Sequence, residues 1–238
     1  MLWLLTIGGC VAASGTQGPS GEPPDSAAVV LSPRLAEPKG PGLARGAGWR
    51  ALWADTVCLV VADADRFGGG HVTYAPDNGP LARVVIARGA DGRALRLLPV
   101  DRDPVTVLLP RNLRDTEFSN LLRDLVANVH PTAPLVAAGL YQRAGLDAIQ
   151  PTLVVLRAAT DSFHLLDSLR GRPVWVEQAP ELDGKPYGRF SRVITTAALL
   201  EQLRLDPTTR VATERYLASR LLDVLVGDRD RSPEHWLW

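Results

Sequence analysis

The sequence predicts an α+β fold, β-rich in its N-terminal part and helical in its C-terminal part. Three observations lead there. Short apolar or β-branched runs bounded by turn residues occupy 56–62, 81–87 and 93–100. Apolar residues at helical spacing fill 115–129 and 211–226. Strands dominate early and helices late, the order of an α+β chain.

Residues 1–9 (Met-Leu-Trp-Leu-Leu-Thr-Ile-Gly-Gly) are apolar and run directly into Cys10. Small residues before a cysteine resemble the end of a bacterial lipoprotein signal, with Cys10 as the lipidated residue. The segment lacks a positively charged n-region, and an ordinary apolar N-terminus is the competing reading. If Cys10 carries lipid, Cys58 is left as a lone thiol; a disulfide between the two is the alternative. Residues 11–48 are rich in Ala, Gly, Ser and Pro. They offer too little periodic apolar surface to offset their ordering entropy, so a disordered tether is expected there. One domain is expected from Trp49 to residue 238.

Within it, Thr56–Ala62 reads as a strand. Leu81–Ala87 and Arg93–Val100 flank Arg88-Gly89-Ala90-Asp91-Gly92, a hairpin with a Gly-containing turn. Asp115–Val129 is a helix capped by Asp115 or Thr116, and Pro131 and Pro134 separate it from another at Leu135–Ala144. His130 reads as a cation at that helix end. Thr152–Arg157 and Arg172–Glu177 are strands, and Thr195–Leu203 is a helix with a Thr cap. Val211–Val226 has the clearest helical pattern, with Leu217, Leu221, Val224 and Leu225 on one side and Gly227 as its C′ residue. Trp236-Leu237-Trp238 reads as the opening of a buried strand, so the domain is expected to be truncated after the preceding loop.

Acidic and basic residues balance at 26 each. The clustered basic excess of a nucleic-acid binder is missing, and no nucleic-acid partner is expected. No apolar run approaches the ~20 residues of a transmembrane helix. The histidines at 71, 130, 164 and 235 lack zinc spacing. Asp63-Ala64-Asp65 reads as a solvated loop.

The segment with the most chemistry is Gly227-Asp228-Arg229-Asp230-Arg231-Ser232-Pro233-Glu234-His235-Trp236. Phosphoryl transfer requires a carboxylate beside the acceptor hydroxyl and metal ligands a few residues away. Asp230, with His235 five positions later, fits that spacing. A solvated charged loop at a helix end is the competing reading.

Gly-Asp-x-Asp-Arg followed by x-x-x-x-Trp resembles the catalytic loop of HipA-like kinases and of the secreted Golgi protein-kinase family. It is similar above all to a group of bacterial envelope proteins with the loop Gly-Asp-Trp-Asp-Arg-His-x-x-Gln-Trp-x-Trp, several of which continue into a BamA-like surface-antigen barrel. The resemblance covers about residues 49–238 in ordered segments. They are Trp49-Arg50-Ala51-Leu52-Trp53, Phe67-Gly68-Gly69-Gly70, Val100-Asp101-Arg102-Asp103-Pro104, His130-Pro131, Leu140–Gly145, Glu177 and Tyr216–Trp238.

What the resemblance implies is an incomplete two-lobed protein-kinase-like fold. Asp230 would be the catalytic base, and His235 stands where these kinases place an Asn or Gln metal ligand, with Asp228 beside it. Arg102 stands where the envelope group has a lysine that would contact nucleotide phosphates. Glu177 matches a glutamate near the end of the next strand. Asn78-Gly79 would turn over the phosphates or form an ordinary hairpin turn. ATP and Mg²⁺ or Mn²⁺ would be the cofactors of full-length relatives. The setting would be the bacterial envelope, lipid-anchored through Cys10 or periplasmic, with an envelope protein as partner.

Three departures weaken the chemistry. Arg102 replaces lysine, and a planar fork is not a compact ammonium. Ser232 replaces a histidine. The second metal-binding Asp of such folds would lie beyond residue 238. The expectation is a kinase-like protein inactive in phosphotransfer as this polypeptide; the alternative is a non-catalytic, lipid-anchored binding or assembly module.

Overall fold

The computed structural model describes residues 25–37, 47–63, 71–74, 85–88, 93–127, 129–157, 169–182, 186–228 and 231–238. They form two compact units: residues up to 133 with 152–177, and 134–151 with 178–238.

The first unit is built on seven strands: β1 (Ser26–Val30), β2 (Thr56–Asp63), β3 (His71–Tyr74), β4 (Val85–Arg88), β5 (Ala94–Pro99), β6 (Thr152–Arg157) and β7 (Pro173–Gln178). Their order across the sheet is β1-β2-β6-β7-β5-β4-β3. β2 and β6 run parallel, whereas β1/β2, β6/β7, β4/β5 and β3/β4 are antiparallel. The hairpin over 81–100 is present as β4–β5, with Arg88 opposite Ala94.

The tether expectation fails over 26–36. Ser26-Ala-Ala-Val-Val30 pairs with β2 as an edge strand, Ser26 opposite Val60, and α1 (Pro33–Ala36) follows. Composition averaged over 11–48 hides this short apolar run. Cross-strand pairing and burial of Leu31 and Leu35 offset its ordering entropy.

Alternation along the strands divides the core between two faces. Val85, Ala87, Leu97, Val154, Leu156, Val174 and Val176 pack together with Leu169. Their neighbours Ile86, Leu98, Leu153 and Trp175 belong to a second cluster with Leu31, Leu35, Trp53 and Ala127. Three helices serve that second face, α1, α2 (Ala47–Ala54) and α4 (Glu117–Ala127); a short α3 (Val105–Leu108) lies between the last two in sequence. Thr116 starts α4, its hydroxyl accepting from the Ser119 N–H (3.4 Å). Trp53 Nε1 donates to the Ala127 carbonyl (3.2 Å). Arg50 donates to the Leu35 carbonyl (3.1 Å) and to Asp124 Oδ1 (2.7 Å), so one guanidinium joins α1, α2 and α4. The Thr132 N–H meets His130 Nδ1 (3.1 Å) in the turn that follows α4.

The second unit is helical: α5 (Ala133–Arg143, of which the first residue belongs to the first unit), α6 (Thr196–Leu205) and α7 (Thr213–Val226). Thr195 caps α6 through its hydroxyl, which accepts from the Ala198 N–H (3.2 Å). Gly227 ends α7 at φ 77°, a conformation that glycine adopts without penalty. The Asp228 N–H returns to the Asp223 carbonyl (2.8 Å) and the Gly227 N–H to Val224 (3.2 Å), which closes the helix as a Schellman motif.

Trp53 fills the second face and donates the indole bond across it. Trp53→Ala is expected to cost about 3–5 kcal/mol in urea unfolding. A loss under about 1 kcal/mol would mean that this face is not a packed core.

Candidate functional site

Asp230, Asn78, Gly79 and Cys10 lie outside the described residues. Arg102 and Glu177 belong to the first unit, Asp228 and His235 to the second.

In the first unit the segment Val100–Pro104 is tied into the fold at Val100, Asp101, the Arg102 carbonyl, Asp103 and Pro104. Val100 is in the core and Pro104 is buried. Asp101 accepts from Arg34, whose Nη2 also donates to the Arg102 carbonyl (2.9 Å). Asp103 Oδ1 accepts from the Val105 N–H (3.1 Å), which starts α3, and its carboxylate pairs with Arg123. Glu177 on β7 meets Arg96 on β5 at 3.2 Å. Cys58 on β2 is disulfide-bonded.

In the second unit the loop after α7 is organised by a residue that sequence reasoning missed. Asp223 is completely buried. Its Oδ1 accepts from the Tyr141 hydroxyl on α5 and from Arg231 Nη2 (3.0 Å), and its Oδ2 from Arg220 Nη1 (2.7 Å). Arg231 then reaches Asp228 Oδ2 with its Nε at 3.2 Å and stacks over Trp236 at 5.0 Å. His235 caps a 3-10 turn (Pro233–His235), its Nδ1 accepting from the Ser232 N–H (3.3 Å). Trp236 and Trp238 gather on Tyr216 with ring centroids 5.0 and 5.5 Å away. Ile194 and Trp238 exchange backbone hydrogen bonds (2.9 and 3.0 Å), and Trp238 Nε1 donates to the Thr196 hydroxyl (2.9 Å). The expected strand at 236–238 is therefore one bridge, Thr195 with Leu237.

The buried residue of α7 does not belong to its apolar stripe. Leu217, Leu221, Val224 and Leu225 are 59, 63, 75 and 71% exposed, while Asp223 is on the buried side. Among the described residues, no group of three or more His, Cys, Asp or Glu side chains comes together to hold a metal. No helix there is long and apolar enough to cross a membrane. Asp228 and His235 are instead engaged inside their own loop.

No protein-family model matches the chain, and neither a curated protein nor a solved structure does.

Burial, with the hydrogen bond to Asp223, pushes the Tyr141 phenol up to about 12, against the pull of Arg231. An unfolded phenol ionises near pH ~10. The unfolded chain thus releases this proton first, and stability is full below pH ~10 and falls as pH rises from there to about 12. Tyr141→Phe is expected to remove that fall and the tyrosinate absorbance step near 12. A step that persists in the variant would show that another tyrosine carries it. Asp223→Ala is expected to cost about 2–3 kcal/mol, less than the ~3–5 of a wholly buried pair, because its arginines keep some water. A loss under about 0.5 kcal/mol would sink the anchoring role.

Proposed function

We propose that this chain is a kinase-like protein of the bacterial envelope that, as this polypeptide, serves as a binding or assembly module and not as a phosphotransferase. The carrying observation is the engagement of Asp228 with Arg231 and of His235 with the Ser232 N–H. A Mg²⁺ or Mn²⁺ ion bridging nucleotide phosphates requires carboxylate or carbonyl oxygens turned toward the nucleotide. Here the Asp228 carboxylate is paired with a guanidinium, and the His235 nitrogen is an acceptor within a turn.

The partner in this reading is another envelope protein. The α7 side chains Leu217, Leu221, Val224 and Leu225 sit at helical spacing and face outward. That is the pattern by which an amphipathic helix enters an apolar groove on a protein. Envelope residence is supported by the disulfide at Cys58, since disulfides persist in oxidising compartments. A lipid on the Cys10 sulfur and a disulfide at that sulfur exclude each other, so intact mass before and after reduction distinguishes an anchored from a periplasmic form.

A second reading, nucleotide binding without transfer, is favoured by the Arg96–Glu177 pair on β5 and β7. Kinases use such a basic–acidic pair to place ATP phosphates. Thermal shift with ATP and Mg²⁺ or Mn²⁺ separates the two. The module reading predicts no shift. Binding at a hundred times its dissociation constant would add ~2.7 kcal/mol of apparent stability and favour the second reading. Phosphate transfer abolished by Asp230→Asn would overturn both.

A further inference from the structure

The outward stripe of α7 has a fixed place on its helix. Leu217, Leu221, Val224 and Leu225 are each 59–75% exposed. They recur at i, i+4, i+7 and i+8, the seam spacing of two packed helices. At 3.6 residues per turn Asp223 lies on the far side of α7, where Tyr141 of α5 and Arg231 hold it. Stripe and anchor use opposite faces, so a partner on the stripe leaves the Asp223 bonds intact.

The size of the stripe bears on what covers it. An extended leucine or valine exposes roughly 160–200 Å², so these four side chains leave on the order of 500 Å² of apolar surface bare. That lies in the upper part of the roughly 300–600 Å² range for the largest apolar patch of a monomer. Interfaces are roughly 56–65% apolar, so a cover over the whole stripe buries about 800 Å² per partner, the area of a stable two-chain complex. Charge then narrows the choice of partner. Arg220 and Asp223 stand off the stripe and are paired with each other (2.7 Å). Glu214 and Asp228 lie beyond its two ends, and Asp228 is paired with Arg231. An uncharged stripe meets a copy of itself without like charges in the seam, as a two-fold contact requires. An antiparallel pair also sets the N-terminus of one helix beside the C-terminus of the other, the favourable order of their dipoles.

We infer that α7 pairs with α7 of a second copy of this chain, antiparallel across a two-fold axis. Leu221 sits at the axis, and Leu217 of one copy packs against Leu225 of the other. The inference rests on the binding-module reading and names the partner of its exposed helix.

Sedimentation equilibrium of the full chain up to ~100 µM tests this. The expected result is a reversible monomer–dimer equilibrium. In a mixture of differently isotope-labelled chains, Leu217 methyls of one copy should show contacts to Leu225 methyls of the other. Leu221→Asp places two carboxylates at the axis and should weaken the dimer at least about tenfold. Its tyrosinate step near 12 should persist, showing that the Asp223 anchor of α7 is intact. Phe118→Asp, at an exposed position on α4 of the first unit, should leave the dimer unchanged. A chain monomeric at ~100 µM, a dimer indifferent to Leu221→Asp, or a dimer lost in Phe118→Asp would overturn the pairing. A monomer with no nucleotide-induced thermal shift overturns the pairing alone and leaves the module reading standing. A nucleotide-induced shift counts against that reading itself, whatever the oligomeric state.

Discussion

Asp223 has no contact with water, and a carboxylate in that position must be hydrogen-bonded on both oxygens or give up its charge. Three side chains meet the requirement: Tyr141 from α5, Arg220 from the same helix and Arg231 from the loop beyond it. The loop is consequently held from within. Arg231 serves Asp223 while lying over Trp236 and beside Asp228, and Trp236 in turn meets Tyr216 and Trp238. One buried charge thus joins α7 to α5 and, through Arg231, to Asp228 and Trp236. On α7 Asp223 is the buried residue, while Leu217, Leu221, Val224 and Leu225 are exposed.

The first unit obeys a different constraint. Its sheet closes around β6 and β7, which come from the middle of the chain and enter between β2 and β5. Alternate residues of these strands divide between two apolar clusters, so each strand is needed on both faces. Polar anchors then fix what surrounds the sheet. Arg50 binds three helices together, and Asp101 gathers Arg34 and Arg172 at the ends of strands. In both units, arginines bridging elements around a buried or half-buried carboxylate recur as the device that positions loops. Such pairs specify geometry more than they add stability.

Local signals were legible where local physics decides. The β2 run, the β4–β5 hairpin, the Thr116 and Thr195 caps and the Gly227 terminus are all readable from a few adjacent residues, and the structure has them. The α+β order was legible for the same reason. β1 was not, because five residues of strand inside a Gly/Pro-rich stretch gain their stability from pairing with β2, far along the chain. Asp223 was not either. An aspartate flanked by Leu222 and Val224 reads as a lapse in an apolar helix, and only Tyr141, 82 positions earlier, reveals its role. The hint available was Arg220 three residues before it, an i,i+3 pair that ordinarily marks a solvated face. For the candidate site, spacing singled out Asp228 and His235 beyond the helix end as metal ligands. It did not reveal that their polar atoms close the loop itself.

The central claim is that this loop is a structural closure and not a metal site. Paramagnetic relaxation by Mn²⁺ reads it directly, through the indole N–H resonances of Trp236 and Trp238. A closed loop predicts only weak, non-saturating broadening, the same in the native chain and in Asp228→Asn. Saturable broadening at micromolar Mn²⁺ that disappears in Asp228→Asn would contradict it, and would return the loop to phosphotransfer chemistry.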